Sequence, residues 1–329
     1  MKRRGWAVGI DFGGTNVKIG LLNASHRVIR VQVLASREVG HPGGFVDAVV
    51  QTITALTQSV GLRPSQLRGV GIGVPGLVDT TRGIAHGLTN LPGWHEVSLR
   101  RLLEHRLRCR CLIDNDANLY ALGEWRCGAG RGARDIVCLT LGTGVGGGLI
   151  FNGELYRGGA DAAGEIGHMV VDPRGRRCAC GSRGCLEAHV GTAAILSIAR
   201  RAIRQGGGPL RTLAYQSRGS LTPELVSRAA RAGDVAARRI WIDVGCWLGR
   251  GVANLVNLLN PERVIIGGGV SKAWGLFAPT LKQTVRGQAM GVSARSAKLC
   301  RAQLGNSAGI VGAAVLVWNE CGDKGRGAD

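Results

Sequence analysis

The chain has 329 residues, 45% hydrophobic and 19% charged, which fits one large or two medium soluble domains. No apolar run approaches the ~20 residues that a membrane helix needs, so we expect no membrane partner. The 42 Lys and Arg residues outnumber the 22 Asp and Glu residues and give a net charge of +20, which raises the question of a polyanionic partner.

The N-terminus carries basic residues at positions 2 to 4, as a signal peptide does. The apolar stretch from Trp6 to Ile10 ends at Asp11, however, and is too short for the apolar region of a signal peptide. We therefore expect a cytoplasmic protein, with its ten cysteines present as thiols or metal ligands in a reducing compartment.

Residues 7 to 22 have the pattern of a strand, a glycine turn and a second strand. Asp11 ends the first apolar strand, and the backbone N–H groups of the turn at residues 13 to 15 can point at phosphate oxygens. A third strand at residues 26 to 35 completes a meander, and a helix follows at about residues 44 to 60.

Two buried strands come next, and each ends in a change of chain direction. The strand at residues 70 to 74 breaks at Pro75-Gly76, and leucines at helical spacing predict a helix over residues 97 to 107. The strand at residues 111 to 113 runs into Asp114-Asn115-Asp116. We expect these polar side chains at the C-terminal tip of that strand, where the next helix begins.

The strand-turn-strand pattern recurs at residues 135 to 150, where Gly142-Thr143-Gly144 takes the place of the first glycine turn. Such a duplication implies two similar lobes, each with its own glycine turn. One glycine-rich turn is commonly only a hairpin, but two in matching contexts favour a cradle for phosphate groups.

Residues 161 to 191 bring one histidine and three cysteines together in sequence, namely His168, Cys178, Cys180 and Cys185. One imidazole and three thiolates form a closed tetrahedral ligand set for zinc, which leaves no open position for a reactive water and so indicates a structural metal ion. Buried free thiols, or a disulfide with one thiol left over, are the alternative. The same loop carries Glu165 and Glu187.

The rest of the chain is mainly helical. We expect one helix at residues 192 to 205 and further helices after an N-cap at Thr222. A short buried strand at residues 263 to 270 ends in a third glycine turn, and a last amphipathic helix covers residues 307 to 320. We expect the polar tail at residues 322–329 to be flexible.

The motifs that stand out are Asp11-Phe-Gly-Gly-Thr15, Gly73-Val-Pro-Gly76, Asn90-Leu-Pro-Gly-Trp94, Asn115-Asp116, Gly142-Thr-Gly-Val-Gly146, Gly164-Glu-Ile-Gly-His168 and Cys178-x-Cys180-Gly-x-x-Gly-Cys185-x-Glu187. Together they resemble the repressor, open reading frame and kinase (ROK) family over about residues 7 to 320. The cysteine block is the most specific part of this resemblance, whereas the glycine turns alone would fit any actin-like phosphotransferase.

The resemblance implies an α/β fold with two lobes, of the actin-like, ribonuclease H-like or hexokinase type, with a duplicated strand-turn-strand core and a zinc-bound loop. The small lobe would comprise residues 1–118, completed by a C-terminal helix at about residues 305–320. The large lobe would comprise residues 119–304 and include the zinc loop. The family also suggests a homodimer or a homotetramer.

The resemblance implies an activity as well, the transfer of a phosphoryl group from ATP, with Mg²⁺, to the 6-hydroxyl of a hexose, as in glycolysis. Asp116 would be the base that accepts the hydroxyl proton. A helix N-cap at the strand end is the alternative reading of this stretch, and it suits Asp114 or Asn115 equally well. Asp11 would hold Mg²⁺ through water.

Amide, carboxylate and imidazole groups suit a polyol because they pair with its hydroxyls. The sugar ligands implied by the resemblance are Gly76, Asn90, Asn115, Asp116, Glu165, His168 and Glu187. His168 can serve both zinc and sugar because it has two ring nitrogens. The implied nucleotide ligands are Asp11, Gly13, Gly14, Thr15, Asn16, Gly142, Thr143, Gly144, Gly146, Gly268 and Gly269.

Glucose is the favoured substrate, because the motif from Asn90 to Trp94 together with the cysteine block looks most like the glucose-phosphorylating members. Kinases of N-acylmannosamine, fructose, mannose and allose share nearly every motif. Members that use polyphosphate generally lack the cysteine block, which favours ATP. Some members of the family are sugar-responsive repressors with an N-terminal helix-turn-helix domain. Because the first strand begins at residue 7, we expect no such domain and no repressor function.

The positive charge is distributed along the chain. Arginines recur from Arg100 to Arg301 without a run of five, and only 4% of residues are aromatic, too few for a single-strand stacking platform. We therefore expect a general arginine bias of the surface and no specific nucleic-acid site. A non-enzymatic binder of polyanions or nucleic acid on a kinase fold is the remaining alternative.

Overall fold

The computed structural model describes residues 5–36, 40–87, 93–217 and 220–320. The predicted sugar ligand Asn90 and the predicted tail at residues 322–329 lie outside this part of the chain. Within it, strands and helices form a mixed α/β fold, which confirms the predicted class.

The strands are β1 (Trp6–Phe12), β2 (Asn16–Asn23), β3 (Val28–Ala35), β4 (Val70–Val74), β5 (Leu77–Asp79), β6 (Ile84–His86), β7 (Cys111–Asn115), β8 (Ile136–Leu141), β9 (Val145–Phe151), β10 (Glu154–Tyr156), β11 (Arg263–Gly267) and β12 (Lys298–Arg301). The helices are α1 (Pro42–Gln58), α2 (Leu99–Leu107), α3 (Asp116–Cys127), α4 (Glu187–Val190), α5 (Thr192–Gln205), α6 (Pro209–Gln216), α7 (Pro223–Arg231), α8 (Val235–Leu259), α9 (Trp274–Gln288), α10 (Gly291–Ser296) and α11 (Ala308–Glu320).

Two five-stranded sheets share one pattern of strand order. The first has the order β3-β2-β1-β4-β7, and the second has the order β10-β9-β8-β11-β12. In the first sheet β1 is antiparallel to β2 and parallel to β4, which is parallel to β7. In the second sheet β11 is parallel to both β8 and β12. Since β8 has the place in the second sheet that β1 has in the first, the predicted duplication of the core is confirmed.

The chain divides into two compact units. Unit one comprises residues up to 132, residues 148–164 and the residues from 303 onward, and unit two comprises residues 133–147 and 165–302. The lobe boundaries expected from the sequence stay a prediction.

Each unit has an aromatic centre in its core. In unit one, the ring of Phe12 at the end of β1 stacks on Phe45 of α1 with 4.7 Å between centroids, and both meet the edge of Trp94 at 5.3 Å. In unit two, Trp241 of α8 and Phe277 of α9 are fully buried and lie 6.3 Å apart. An aromatic side chain of this kind buries about 150 to 250 Å².

Helix α11 lies against the first sheet in unit one with its backbone in direct contact. A Cβ atom on Gly9 of β1 or on Gly71 of β4 would overlap the carbonyl groups of Ile310 or Ala313, respectively. Gly312 of α11 meets the carbonyl group of Leu119 in α3 in the same way. Glycine is therefore required at these positions by the closeness of the two backbones.

Two sequence expectations differ in detail from the structure. The predicted amphipathic character of the last helix is wrong, because residues 308 to 317 are buried on every side of α11, as is typical of a helix that is apolar all round. The strand predicted at residues 111 to 113 continues to Asn115, so that Asp114 is part of the sheet. Among the described residues, no helix is both long enough and apolar enough to cross a bilayer.

Replacing Gly71 by Ala should lower the free energy of unfolding by about 3 kcal/mol or more, because the added methyl group overlaps a backbone carbonyl that α11 cannot easily move. Gly287 of α9 has nothing within 4 Å of an added Cβ atom and serves as the control. Gly287→Ala should be neutral or stabilise by up to about 1 kcal/mol. Urea denaturation of both variants tests this, and equal stability of the two would contradict the packing described.

Candidate functional site

The junction between β7 and α3 carries the predicted catalytic carboxylate. Asn115 ends β7 and is the N-cap of α3, because its Oδ1 accepts hydrogen bonds from the N–H groups of Ala117 at 2.9 Å and Asn118 at 3.2 Å. Its Nδ2 donates to the carbonyl oxygen of Gly76 at 3.0 Å. Gly76, Asn115 and Asp116 thus lie close together in the structure. Of the two residues that the sequence allowed as the N-cap, Asp114 and Asn115, the structure has Asn115. Asp116 is the half-buried first residue of α3.

Asp114, directly before this junction, forms an ion pair that sequence reasoning missed. Its side chain is 1% exposed, and its Oδ2 lies 2.8 Å from Nε and 2.7 Å from Nη2 of Arg157, just after β10. Its Oδ1 accepts from the Asn115 N–H at 2.8 Å and from Asn118 Nδ2 at 2.9 Å. Burial raises the pKa of Asp114, and the guanidinium of Arg157 opposes that rise. A carboxylate in a buried strand signals that a cation must lie nearby, but the sequence does not say which one.

The first glycine turn joins β1 to β2. The Gly13 N–H donates to the Asn16 carbonyl oxygen at 2.9 Å and closes the turn, and Gly14, Thr15 and Asn16 are exposed. The turn is therefore open to solvent, and a turn of this kind can present backbone N–H groups to an anion, as the phosphate-cradle interpretation requires.

Asp11, at the end of β1, faces Lys18 in the paired position of β2. Its Oδ2 lies 2.9 Å from Lys18 Nζ. In the sheet register, Asp11 is level with Gly73 of β4, and Gly73 is level with Asp114 of β7. A Cβ atom on Gly309, at the start of α11, would lie 2.7 Å from Cγ of Asp11. The carboxylate therefore lies beside the N-terminal end of a helix, which stabilises negative charge.

The second glycine turn, in unit two, is bound by Glu187. The Oε2 of Glu187 accepts a hydrogen bond from the Val145 N–H at 2.8 Å, and a Cβ atom on Gly144 would lie 2.5 Å from the same oxygen. The Thr192 hydroxyl donates to the Gly142 carbonyl oxygen at 2.7 Å. Glu187, predicted as a sugar ligand, thus already has one carboxylate oxygen on the backbone of the turn that includes Thr143 and Gly146.

The third glycine turn follows β11 in unit two. Gly268 has φ 80°, and a Cβ atom there would overlap the backbone of Leu141, the residue directly before the second glycine turn. The Ser271 hydroxyl donates to the Gly268 carbonyl oxygen at 2.7 Å. The predicted nucleotide ligands Gly142, Gly268 and Gly269 therefore belong to neighbouring turns.

The four predicted metal ligands converge in unit two. The ligand atoms of His168, Cys178, Cys180 and Cys185 all lie within 4.8 Å of one another. The Cys180 and Cys185 sulfurs are 3.7 Å apart, and the Cys178 sulfur is 3.7 Å from His168 Nδ1. A tetrahedral zinc ion with bonds of about 2.3 Å to sulfur places its sulfur ligands ~3.8 Å apart. The cluster therefore fits zinc in both chemistry and size.

Glycines shape the backbone of this cluster as the sequence suggested. Gly181 and Gly184 have φ 93° and 71°, values that strain any residue with a side chain. Burial, together with contacts to neighbouring thiols, raises the pKa of Cys185 to about 11. A metal ion that binds this thiolate therefore displaces a proton.

The two nitrogens of His168 face different groups. Nδ1 points at the cysteines, whereas Nε2 lies 3.9 Å from Oε2 of Glu165. The side chains of Glu165 and His168 are 54% and 36% exposed, so both remain accessible to a ligand. Glu165 and His168, two of the predicted sugar ligands, are thus adjacent beside the metal cluster.

These elements define an α/β protein of the hexokinase type with a cysteine and histidine cluster in its second unit. The ROK family matches residues 7–320, and the chain belongs to this family.

Named relatives include both enzymes and regulators. The chain is 36% identical to a glucokinase of Halalkalibacterium halodurans, over 95% of this chain and 94% of the relative. It is 31% identical to a xylose repressor of Caldicellulosiruptor bescii, over 95% of this chain and 78% of the repressor. Among solved structures, a ROK family glucokinase from Streptomyces griseus in complex with glucose and AMPPNP is 34% identical, with a TM-score of 0.81 and coverage of 95% of this chain and 99% of that chain.

Arg157→Met should leave the Asp114 carboxylate buried without its cation and lower the free energy of unfolding by about 3 to 5 kcal/mol at pH 7. The pKa of Asp114 in the folded variant should then rise further above its unfolded value of about 3.9. As the pH falls, Asp114 of the folded variant takes up a proton and its buried charge is removed. The difference in free energy of unfolding between the variant and the parent should therefore become smaller between pH 7 and pH 5.

The double variant Asp114→Asn/Arg157→Met is the control, because it removes the buried charge. It should recover part of the loss at pH 7 and show no such pH dependence. Urea denaturation at both pH values measures these differences, and a deficit for Arg157→Met that is the same at pH 5 and pH 7 would contradict this account of the pair.

Proposed function

We propose that the protein transfers a phosphoryl group from ATP to the 6-hydroxyl of a hexose, with glucose as the preferred substrate, and so acts as a glucokinase in glycolysis. The observation that carries the proposal is the β7–α3 junction, where Asn115 is the N-cap and Asp116 is the half-buried first residue of the helix, with its Oδ1 accepting from the Ala117 N–H at 2.8 Å. Similarity to glucokinases over nearly the whole chain, and the glucose and AMPPNP bound in the similar structure, support the substrate and the donor.

In the proposed reaction, Asp116 accepts the proton of the sugar hydroxyl as that oxygen bonds to the terminal phosphorus of ATP. The bond from this phosphorus to the bridging oxygen breaks, and ADP leaves. Two contacts fix the end of β7 and the start of α3, where Asp116 lies. They are the N-cap of Asn115 and the ion pair between Asp114 and Arg157. A fixed carboxylate orients the hydroxyl, and positioning together with electrostatic stabilisation is most of what a protein contributes to phosphoryl transfer.

The nucleotide is proposed to bind the glycine turns through backbone N–H groups, with Asp11 holding Mg²⁺ through water. Asp11 suits this role because hard cations bind carboxylate oxygens and Mg²⁺ commonly retains several waters. When bound, Mg²⁺ neutralises charge on the phosphates. Lys18, 2.9 Å from Asp11, balances the charge of the carboxylate in the protein alone.

The sugar is proposed to be held by Gly76, Asn90, Asn115, Glu165, His168 and Glu187, in addition to Asp116. Glu187 has a second oxygen, Oε1, which lies 3.8 Å from the Cys178 sulfur and is not the one that binds Val145. Glu165 and His168 Nε2 are adjacent and accessible. Zinc at the four-ligand cluster is proposed to be structural, because a closed ligand set fixes the loop and has no position for a reacting water.

The runner-up substrates are N-acylmannosamine, fructose, mannose and allose. The similarity to a xylose repressor favours one further alternative, a sugar-responsive regulator without kinase activity. We propose the enzyme, without a specific nucleic-acid or membrane partner, in the cytoplasm and as a homodimer or homotetramer. A panel of hexoses with ATP and polyphosphate donors and coupled detection of ADP decides among these functions. A regulator would bind duplex DNA in a salt-sensitive way and release no ADP in response to sugar.

Asp116→Asn should reduce kcat by ~10² to 10⁴-fold, the usual contribution of a general base, because the amide cannot accept the proton. Glucose affinity measured by calorimetry should stay within roughly tenfold, and kcat/KM should fall with kcat. Asp47→Asn in α1 is the matched control, since it removes an exposed carboxylate of the same unit that pairs with exposed Arg106.

Near-normal turnover of folded Asp116→Asn would show that another residue is the base.

Elemental analysis of dialysed protein should find one zinc ion per chain. Cys180→Ser should lose the metal and also weaken glucose binding, because the loop that carries Glu165 and Glu187 relaxes. Cys246→Ser in α8 is the control, as Cys246 lies outside the cluster in the same unit. Active protein without zinc would remove the structural-metal proposal.

A further inference from the structure

A cavity of about 590 Å³ in unit two is lined by α9, α10 and β12. Four of its lining residues are cations, Lys282, Arg286, Arg295 and Lys298, and none of its lining residues is acidic. The cations come from three different elements, so the fold and not a single basic helix face brings them together.

These four side chains are exposed and take part in no ion pair among the described residues. Other cations of unit two do find partners. Lys272 Nζ lies 2.7 Å from a carboxylate oxygen of Glu224, and Arg239 Nε lies 3.0 Å from Asp243. The cavity therefore holds positive charge that the protein itself does not neutralise.

The placement of α9 keeps this charge concentrated. Lys282 and Arg286 are four residues apart and so lie side by side on one face of the helix, where like charges repel. The neighbouring face is fixed against α8, because a Cβ atom on Gly249 would lie 2.5 Å from Cβ of Thr284. Because this packing fixes the rotation of α9, both cations stay at the cavity, and a bound anion would relieve their repulsion.

The cavity is separate from the glycine turns of unit two. Strands β11 and β12 are parallel, and Lys298 at the start of β12 is in register with Arg263 at the start of β11. The third glycine turn follows the other end of β11, after Gly267. Four residues of strand at about 3.3 Å each separate the two ends, which is ~13 Å.

We infer that this cavity binds a small anion with several phosphate groups. Guanidinium groups match phosphate oxygens in pairs of hydrogen bonds, and lysine ammonium groups add point charges. Single orthophosphate could contact only part of a set of four cations drawn from three elements, whereas a triphosphate chain can reach several at once. The chain could come from a nucleoside triphosphate or from inorganic polyphosphate. The inference does not depend on the proposed kinase reaction.

The test measures binding of sodium tripolyphosphate, orthophosphate and ATP to the full chain by calorimetry at physiological ionic strength. The variant Lys282→Gln/Arg286→Gln removes two of the four cations at exposed positions. The matched control Arg200→Gln/Arg204→Gln removes two exposed arginines at the same spacing on α5 of the same unit. Circular dichroism and thermal unfolding of the two double variants check that each of them remains folded.

We expect wild type and control to bind tripolyphosphate equally and far better than orthophosphate. Lys282→Gln/Arg286→Gln should weaken tripolyphosphate binding by about tenfold or more, as expected for the loss of charge-assisted hydrogen bonds. If an ATP site additional to the proposed one at the glycine turns weakens equally, the source is a nucleotide, and if only tripolyphosphate binding weakens, the source is inorganic.

Three results would overturn the inference. One is the absence of tripolyphosphate binding. Another is an equal loss in both double variants, since net charge alone would then explain the binding. The third is duplex DNA binding that Lys282→Gln/Arg286→Gln abolishes while tripolyphosphate binding is unchanged, because the cations would then serve a macromolecule. Hexose-dependent ADP release by the same proteins is a separate readout, so failure here does not bear on the proposed kinase.

Discussion

The contact of α11 with the first sheet is the constraint on which unit one depends. Its backbone lies directly on β1 and β4 at Gly9 and Gly71, where a single methyl group would not fit. The same helix starts beside Asp11 and passes against α3, which begins with Asp116. One backbone contact therefore fixes the positions of both carboxylates that the proposed reaction needs in this unit.

In unit two, Glu187 has a comparable role. One of its oxygens binds the backbone of the second glycine turn, and the other lies 3.8 Å from the sulfur of Cys178. The metal cluster and the glycine turn are thus joined through one carboxylate. A zinc ion that fixes the cysteine loop would fix this turn as well, which gives a closed, unreactive metal site a physical reason to accompany a nucleotide-binding turn.

Much of the fold could be predicted because its signals are local. The apolar run of β4, the helical spacing of the leucines in α2 and the cap at Thr222 are each contained in a few successive residues, and the structure has all three. The convergence of the four metal ligands was predictable for the same reason, since they lie within one short loop.

The missed features depend on contacts between distant parts of the chain. Arg157 lies 43 residues from Asp114, and Val145 lies 42 residues from Glu187. The cations of the cavity meet only because β12 packs beside β11 and α10 turns back toward α9. No periodicity or spacing in the sequence predicts contacts between residues that are so far apart in the chain. A carboxylate in a buried strand, such as Asp114, indicates that a cation lies nearby, but only the fold identifies this cation as Arg157.

The position of α11 after unit two in the sequence has a consequence for synthesis. A ribosome releases the strands of the first sheet long before the 13 residues of α11, which is separated from them by the whole of unit two. Until those residues emerge, the glycine-lined surface of β1 and β4 has no covering and unit one cannot be complete. Folding of the N-terminal sheet must therefore wait for the last helix, and a chain that stops before Ala308 leaves it open to aggregation.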